Sequence, residues 1–456
     1  MKMKGKILKN ITVNVCRFIV AATFIFSGYV KAIDPIGTQY KIHDYLTALG
    51  LADIIPDYIT LGASVTLAAI ELCLGIFLLF AIRRHLVSKL IVALMTIMTA
   101  ITVWIVLANP VKDCGCFGDA LKLTNWQTLG KNIILLLAAV CICKAPSAMV
   151  RFISRSNQWI VINYTILYCI ATSSYCLYSL PTFDFRPYHI GADIRKGMEI
   201  PPGAEQPKFE TTFTLKKNGV TKEFSLENYP DSTWTFVDSK TVQLSEGYVP
   251  PIHDFSMEDP QSGDDLTDSV LSDKNYTFLL ISPHLENADD SNFGDINQIY
   301  DYCKRNNYHF YALTASNKEA IEHWTDITGA EYRYLFTDET TLKTIIRSNP
   351  GLILLKDGIV IQKWSHNQLP QLDENTPPLS KIPEGHLPET SIGKKISYTL
   401  IWFFMPLLLL AFADRTWAWT KWVRRRKETK LTGKSGEQPE ATDESETPEE
   451  NSDNIK

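Results

Sequence analysis

The sequence predicts an α-helical membrane bundle, with a core of four helices and two further spanning helices, joined to an α/β domain outside the membrane. Hydrophobic residues make up an ordinary 45% of the chain, but they concentrate in blocks long enough to cross a hydrocarbon layer of about 30 Å. Between the last two blocks, short strand-like and helix-like patterns alternate. The net charge of -5 gives no basic surface for nucleic acid, so a nucleic-acid partner is not expected.

Six apolar blocks are candidates for membrane spans, and they cover residues 11–32, 58–82, 87–109, 131–148, 159–180 and 397–414. Lysine and arginine collect on the cytoplasmic side of membrane proteins. The basic stretches "MKMKGKILKN", "RRHLVSK" and "KWVRRRK" fall on one side if all six blocks span. We therefore expect a multi-pass protein with both termini in the cytoplasm. The alternative, a cleaved signal peptide in the first block, fits less well because its apolar core is long and contains Arg17.

The long segment between the fifth and sixth blocks changes character along its length. In "FETTFTLKKNGVTKEFSL", two alternating runs flank Asn218-Gly219, which predicts a hairpin. From Asp273 onward, strands such as "NYTFLLIS" alternate with helices such as "FGDINQIYDYCKRNN". We divide the chain into a four-helix membrane domain (1–150), a fifth helix (151–180), a β-rich segment (181–272), an α/β domain (273–375), a Pro-rich tether (376–396), a sixth helix (397–414) and a basic, then acidic, disordered tail (415–456).

The first half of the chain resembles the DoxX/MauE superfamily of small four-helix membrane proteins. The stretch "RFIVAATFIFSGYVKAIDP" matches the first-helix pattern of that superfamily at Arg17, Ser27, Gly28, Lys31, Asp34 and Pro35. Glu71 and Gly75 match the second helix. The element "DCGCFG", followed by Trp126 and Asn132, resembles the MauE branch. Members of that branch are associated with maturation of methylamine dehydrogenase, a disulfide-rich periplasmic enzyme, so the resemblance implies a role in methylamine utilisation or periplasmic protein maturation.

Residues 273–370 resemble a thioredoxin fold. The stretch "RSNPGLILLKDGIVIQKW" is similar to the segment in which a cis-proline precedes the last two strands, which would make Pro350 that proline. The redox Cys-x-x-Cys of the family is missing, because "PHLEN" follows the strand "FLLIS". The resemblance implies that Asn349 and Pro350 bind an extended peptide, or that this surface packs on the bundle. His284 and Glu286 stand at the lost active site, either as an acid–base pair or as a solvated loop.

The whole arrangement is similar to an uncharacterised group of DoxX-family proteins from Bacteroidetes. This resemblance implies a bacterial inner (cytoplasmic) membrane and a large periplasmic domain. It implies no established activity, and it leaves open whether the protein is an enzyme.

The predicted topology separates the nine cysteines of the chain. Six lie in apolar helices, where a buried thiol usually behaves as a small hydrophobe, and Cys303 lies in a helix of the α/β domain. Cys114 and Cys116 remain as an exposed pair in an oxidising compartment. A Cys-Gly-Cys ring is small, and a strained disulfide is labile, which favours a redox pair. Gly115 permits the backbone of such a ring, and we expect supporting roles for Phe117 and Gly118.

Two other interpretations of Cys114 and Cys116 stay open. The second interpretation is an inert structural disulfide, either between the two cysteines or with Cys176 at the outer end of the fifth helix. A ligand role is the third interpretation, but no metal is predicted, because no further histidine or cysteine follows at ligand spacing. His43, in the other outer loop, is an unsupported extra ligand.

Charged residues in the predicted helices have two interpretations each. Arg17 and Glu71 lie at similar depth, so we expect an interhelical ion pair, serving either helix packing or a proton-relay or quinone site. Lys31 and Asp34 lie at the outer end of the first helix. There Lys31 either faces the cysteine loop and lowers a thiol pKa or extends toward the membrane surface.

The sequence supports two hypotheses about function. In the first, Cys114 and Cys116 exchange with a periplasmic partner protein, the α/β domain holds that partner, and a membrane quinone is the candidate electron acceptor; no cofactor is certain. In the second, the protein is a non-catalytic scaffold or assembly factor whose thioredoxin-like domain binds envelope proteins. Transport is disfavoured, because the helices lack broken Gly/Pro midpoints.

Overall fold

The structure is a computed structural model, and it describes residues 2–111, 114–204, 208–217, 220–225, 235–245, 247–389 and 392–432. Six of the described helices are long and apolar enough to cross a membrane, as the sequence predicts. They are α1 (Lys2–Ile33), α3 (Asp57–Leu79), α4 (Arg84–Ala108), α5 (Asn125–Lys144), α6 (Gln158–Tyr178) and α12 (Ile392–Thr432). The predicted Asn218-Gly219 turn and the acidic tail from residue 433 onward lie outside the described residues.

All six helices begin before their apolar blocks, and α1, α5 and α12 do so by five residues or more. The α5 helix starts at Asn125 because Thr124 and Gln127 form a capping box, each side chain accepting a hydrogen bond from the backbone of the other. This start brings Thr128 and Lys131 into helix. The α12 helix runs from Ile392 to Thr432 and includes Pro406, so it extends well past the expected 397–414 span in both directions.

A short helix, α2 (Pro35–Ala48), follows α1 where the sequence predicts only a loop. Asp34 ends α1 and caps α2, because its Oδ1 accepts from Gly37 N at 2.9 Å and Pro35 occupies the first helical position. At the same end of α2, Ser64 in α3 donates to Pro35 O at 2.6 Å. The α2 helix therefore lies fixed across the end of the bundle.

Glycines let α1 and α3 approach each other closely. A Cβ atom on Gly28 would lie 2.3 Å from Leu72 N, and one on Gly75 would lie 2.8 Å from Ile25 N. Small residues at such crossings allow backbone-to-backbone packing in the absence of a hydrophobic driving force between helices. The neighbouring core of α1, α3, α4 and α5 is aliphatic, with Val20, Leu78 and Ile142 fully buried.

Two sheets follow the fifth spanning helix. The first is antiparallel, in the order β2-β1-β3, and comprises β1 (Lys208–Lys217), β2 (Val220–Ser225) and β3 (Thr235–Ser245). The second has five strands in the order β6-β5-β4-β7-β8. Its strands are β4 (Tyr276–Ser282), β5 (His309–Thr314), β6 (Arg333–Phe336), β7 (Gly351–Lys356) and β8 (Ile359–Ser365). Strands β4, β5 and β6 are parallel, and β7 and β8 are antiparallel to their neighbours.

Helices cover both faces of the five-stranded sheet, and we call residues 276–365 the sheet domain. On one face α9 (Phe293–Asn306) and α10 (Lys318–Thr328) bury Ile299 and Trp324. On the other face α11 (Glu339–Ile345) buries Leu342. Two five-residue helices complete the described set, α7 (Ile194–Met198) and α8 (Thr267–Leu271).

Part of the expected tether packs on the sheet domain. Leu379 is fully buried in the core of that domain, and Tyr276 donates from its hydroxyl to Gly385 O at 3.0 Å. The chain therefore stays attached to the sheet until shortly before α12. The apolar Leu379 is the reason, since a Pro-rich composition alone indicated only an extended linker.

Replacing Gly28 with alanine should destabilise the bundle, because the added Cβ would overlap the Leu72 backbone. Overpacking of this kind costs about 1–3 kcal/mol. Thermal unfolding in detergent, followed by size-exclusion chromatography, should show a lower melting temperature for Gly28→Ala. Gly62→Ala in α3 is the matched control, because nothing lies within 4 Å of its Cβ position. Equal melting temperatures of the two variants would contradict the close α1–α3 crossing.

Candidate functional site

The cysteine loop joins α4 to α5 and lies against the end of the bundle. Helix α4 ends at Ala108 with Asn109 in the left-handed conformation, and Thr124 caps α5. We call residues 114–119 the Cys loop; positions 112 and 113 lie outside the described residues. Gly115 has φ +62° and Gly118 φ +53°, a conformation that glycine adopts without steric cost. The loop therefore turns sharply around both cysteines.

The two loop cysteines are free thiols whose sulfur atoms lie side by side. Cys114 Sγ is 2.7 Å from Cys116 Sγ, and Cys114 Sγ is 3.5 Å from Thr128 Oγ1 in α5. Both side chains are half-buried. Cys176, the alternative disulfide partner, lies elsewhere, with its Sγ 3.5 Å from Thr182 Oγ1. The structure therefore brings Cys114 to Cys116 and not to Cys176.

The surroundings of the two thiols separate their acidities. The hydrogen bond from Cys116 lowers the pKa of Cys114 to about 6, against the opposing effect of burial, and Thr128 and the charge of Lys131 act in the same direction. The same hydrogen bond, together with burial, raises the pKa of Cys116 well above its ordinary value. Cys114 is therefore the more acidic thiol of the pair.

Lys131 is a residue of this site that the sequence analysis did not single out. Its Nζ lies 4.2 Å from the centroid of the Phe117 ring, a cation–π geometry, and its charge favours the thiolate of Cys114. The sequence contains a usable signal: Thr128 and Lys131 are three residues apart, so a helix that begins at the Thr124 cap places both on one face. The apolar block, read alone, put Lys131 at a membrane flank.

Below the Cys loop, three polar side chains form a buried network. Lys31 Nζ and Ser27 Oγ each lie 2.7 Å from Glu71 Oε2, and Lys31 Nζ lies 2.7 Å from Ser27 Oγ. Both donors also reach Cys116 O, at 2.8 Å from Lys31 and 2.6 Å from Ser27. Lys31 is 5% exposed and Glu71 6%, so Lys31 faces the loop and does not extend toward the membrane surface.

The expected ion pair between Arg17 and Glu71 is wrong. Arg17 is fully buried, and its guanidinium donates to the carbonyls of Leu78 at 2.9 Å and Val150 at 2.8 Å, and also to that of Leu79. The carbonyls at the end of α3 lack helical partners, and a cation satisfies them. Leu78 lies two helical turns, or about 10 Å, beyond Glu71 along α3. Arg17 thus joins the other end of the bundle, and Lys31 takes its expected place.

Asp34 connects the bundle to the sheet domain. Its two carboxylate oxygens each lie 3.1 Å from Arg347 Nε, and Arg347 Nη2 reaches Asp119 Oδ2 at 3.3 Å. Arg347 also lies over the Tyr40 ring, 5.2 Å from its centroid. The expected role of Asp34 beside the thiols is therefore indirect: it caps α2 and pairs with the sheet domain next to the Cys loop.

A cleft of about 450 Å³ opens between the Cys loop, α2 and α11. Its lining includes Gly115 and Gly118 of the Cys loop, Lys41 of α2 and Lys343 of α11. The lining residues carry both signs of charge, and one of them, Glu339, pairs with His284 of the sheet domain at 2.9 Å. The cleft thus extends from the Cys loop to the part of the sheet domain that carries His284.

The proposed peptide-binding edge is engaged within the sheet domain. The Asn349–Pro350 bond is cis, as expected from the sequence, and Pro350 is buried. Asn349 O accepts from Asp289 N at 3.0 Å, while the Asn349 amide contacts Ser282 Oγ at 2.7 Å and His284 O at 2.9 Å. The carbonyl and the side-chain amide of Asn349 are therefore bonded within the domain.

The described residues show neither a close pair of His284 with Glu286 nor a set of metal ligands. His284 and Glu286 are 4.0 Å apart, and Glu286 instead accepts from Ser316 at 2.9 Å. Among the described residues, no group of three or more histidine, cysteine or acidic side chains could hold a metal ion. An apolar groove of about 450 Å³ between α1, α3 and α12 could take a ring system; its lining includes Phe26, whose ring lies 5.4 Å from that of Phe117.

These features define a multi-pass membrane protein with a helical bundle, a polar network and a dithiol loop. Residues 9–144 match the family model described as "Methylamine utilisation protein MauE", so this part of the chain is a MauE family domain. Residues 209–246 match "Domain of unknown function (DUF8463)". No curated protein matches the chain.

One similar solved structure is an uncharacterized conserved protein from Geobacillus kaustophilus. The similarity has 15% sequence identity and a TM-score of 0.21, and it covers 30% of this chain and 82% of that one.

We expect Lys131→Gln to raise the pH midpoint of Cys114 alkylation, because the lysine charge favours the thiolate. In the reduced wild-type protein that midpoint should lie near 6, and Cys116 should react more slowly. Iodoacetamide labelling across a pH series, followed by peptide mass spectrometry, measures both. Lys144→Gln, at the far end of the same helix, is the control. A Cys114 midpoint at or above 8 in the wild type would refute the assignment.

Glu71→Gln should destabilise the protein by about 3–5 kcal/mol, because it leaves the buried Lys31 ammonium without its counter-charge. Thermal unfolding of the purified protein would show this loss. Glu331→Gln is the matched control: Glu331 pairs with Lys304 at the surface, where ion pairs contribute little. Comparable stability of the two variants would mean that the Lys31–Glu71 pair does not hold the bundle together.

Proposed function

We propose that this protein performs thiol–disulfide exchange through Cys114 and Cys116 at the outer face of a bacterial inner membrane. The observation that supports the proposal is the contact of the two sulfurs, 2.7 Å apart, with a lowered pKa on Cys114. A cysteine pair used only as a structural lock has no need of a stabilised thiolate. Both termini lie in the cytoplasm in this proposal, since the basic flanks set the orientation.

The exchange follows from the different acidities of the two thiols. The Cys114 thiolate attacks one sulfur of a partner disulfide, and the other sulfur leaves as a thiolate. Cys116 then loses its proton and attacks Cys114 Sγ, which releases the partner as a dithiol and leaves a Cys114–Cys116 disulfide. Two electrons thus pass from the loop to the partner, and the reverse sequence oxidises a partner dithiol.

The sheet domain is, in this proposal, a thioredoxin-like domain without its own dithiol. Its strand order supports this, with β4 central between parallel β5 and antiparallel β7. Contact through Arg347 and Asp34 puts it beside the Cys loop, where a partner protein would approach. It would help to form the cleft in which exchange takes place.

The reverse sequence oxidises a partner dithiol and leaves Cys114 and Cys116 reduced; for that direction we propose a membrane quinone as the electron acceptor that restores the loop disulfide. When bound, it would accept two electrons and two protons from Cys114 and Cys116. The apolar groove supports this proposal, because Phe26 lines it and also contacts Phe117 of the Cys loop. Tyr29 belongs to the same lining.

A scaffold or maturation factor is the second candidate function. Two observations favour it: the sheet domain lacks a Cys-x-x-Cys, and its Asn349 edge is bonded internally. The family model that matches residues 9–144 is described by methylamine utilisation, which would place such a factor in that context. The Cys loop would then serve only to shape the end of the bundle.

Cys116→Ser should trap mixed disulfides between Cys114 and partner proteins, because the resolving thiol is gone and the nucleophile remains. Non-reducing electrophoresis after acid quench, with mass spectrometry of the linked species, measures this in cells. The Cys114→Ser variant should trap far less, since Cys116 has the raised pKa. Cys303→Ser, which removes a buried thiol of α9, is the control.

The scaffold proposal gives the opposite result. The double variant Cys114→Ser, Cys116→Ser would keep wild-type function, and no adduct would depend on Cys114. Either outcome is decisive only if the variants reach the membrane in wild-type amounts, which immunoblotting of the membrane fraction establishes.

A further inference from the structure

We propose that Arg347 of the sheet domain is a positioning residue of the Cys loop, so that a domain without its own dithiol sets the reactivity of Cys114. This inference rests on the proposed redox role of the loop. It adds a regulatory contact: the docking of the sheet domain and the state of the thiol pair depend on each other.

The first step of the argument is the set of contacts that Arg347 makes. Its guanidinium reaches carboxylates from two separate parts of the bundle: Asp34 at the start of α2, through Nε at 3.1 Å, and Asp119 in the Cys loop, through Nη2 at 3.3 Å. It also donates to Lys343 O within the sheet domain. One side chain thus ties together α2, the Cys loop and α11.

The second step is the burial of this junction. The Arg347 side chain is 7% exposed, Asp34 20% and Asp119 30%. Removal of one member of a buried charge cluster leaves the others without compensation. Surface ion pairs contribute little by comparison, so this cluster is where the sheet domain can influence the bundle.

The third step is that α2 is shaped to admit the guanidinium. A Cβ atom on Gly37 would lie 2.8 Å from Arg347 Nη2 and 2.3 Å from Asp34 Oδ2. A Cβ atom at this position would force both side-chain groups to move. The same glycine donates its backbone N–H to Asp34 Oδ1 at 2.9 Å, which orients the carboxylate toward Arg347.

The final step connects the junction to the thiols. Asp119 follows Cys116 by three residues, and its negative charge disfavours a nearby thiolate unless a cation compensates it. Arg347 lies 3.3 Å from its carboxylate and the more exposed Lys122 3.9 Å, so Arg347 is the closer and more buried cation. Among the described residues, five charged or titratable groups face the thiol pair from neighbouring elements. They are Lys31 of α1, Lys41 and Tyr45 of α2, Asp119 of the loop and Lys131 of α5. Arg347 acts on the carboxylate in this set, and through Asp119 it also fixes the end of the loop.

The test is the pH profile of Cys114 alkylation in the purified, reduced, full-length protein, comparing wild type with Arg347→Gln. We expect the midpoint to rise by about 0.5 pH unit, which corresponds to roughly threefold slower labelling at pH 5. Adding Asp119→Asn to Arg347→Gln should return the midpoint toward the wild-type value, a rescue that a merely structural role would not give. Arg195→Gln, which removes an ion pair to Asp357, is the matched control and should leave the profile unchanged.

A second variant covers the case in which Arg347→Gln fails to fold. Gly37→Ala keeps every charge but displaces the guanidinium, and it should shift the midpoint in the same direction. An unshifted pH profile in variants that fold, or a shift that Asp119→Asn does not reverse, would overturn the inference. Because the profile is measured on purified protein, these outcomes are independent of whether the pair exchanges with partners in cells.

Discussion

A lysine and a glutamate buried together between α1 and α3 support the rest of this site. Lys31 and Glu71 are each almost inaccessible to solvent, and they are tolerated there because each compensates the charge of the other. The Lys31 ammonium and the Ser27 hydroxyl also reach a single backbone carbonyl, that of Cys116. The position of the Cys loop therefore depends on an ion pair in the membrane part of the protein, and this ion pair depends on the close crossing that Gly28 and Gly75 allow.

Around this support, the surfaces of the loop have distinct roles. The carbonyl of Cys116 faces the ion pair, the sulfur of Cys114 faces Thr128 of α5, and Asp119 faces the sheet domain. The loop is therefore held by the bundle on one side and by the sheet domain on the other. In such an arrangement, a small displacement of the bundle or of the sheet domain changes the environment of the two thiols.

The surface of the sheet domain near His284 is closed by bonds within the domain. Asn349 bonds to Ser282 and His284, and Ser316 bonds to Glu286. A charged contact with the bundle is made nearby by Arg347, which lies two residues before Asn349. The domain thus contributes contacts to a thiol site located in another part of the chain.

The sequence by itself determined the six apolar helices, the strands β4, β5, β7 and β8 and the thiol pair outside the apolar helices, because block length, alternation and residue spacing are local properties. It did not indicate β6, which has only four residues. It also indicated Lys31, Glu71 and Asp34 as residues of interest, through their match to a known pattern. Only the tertiary structure decided their partners: Glu71 pairs with Lys31 and not with Arg17, and Asp34 pairs with Arg347, 313 positions away. Helix rotation and depth settle such contacts, and neither can be read from spacing along one chain. For the same reason Lys131 and Arg347 became visible as site residues only when the folded chain brought them to the Cys loop.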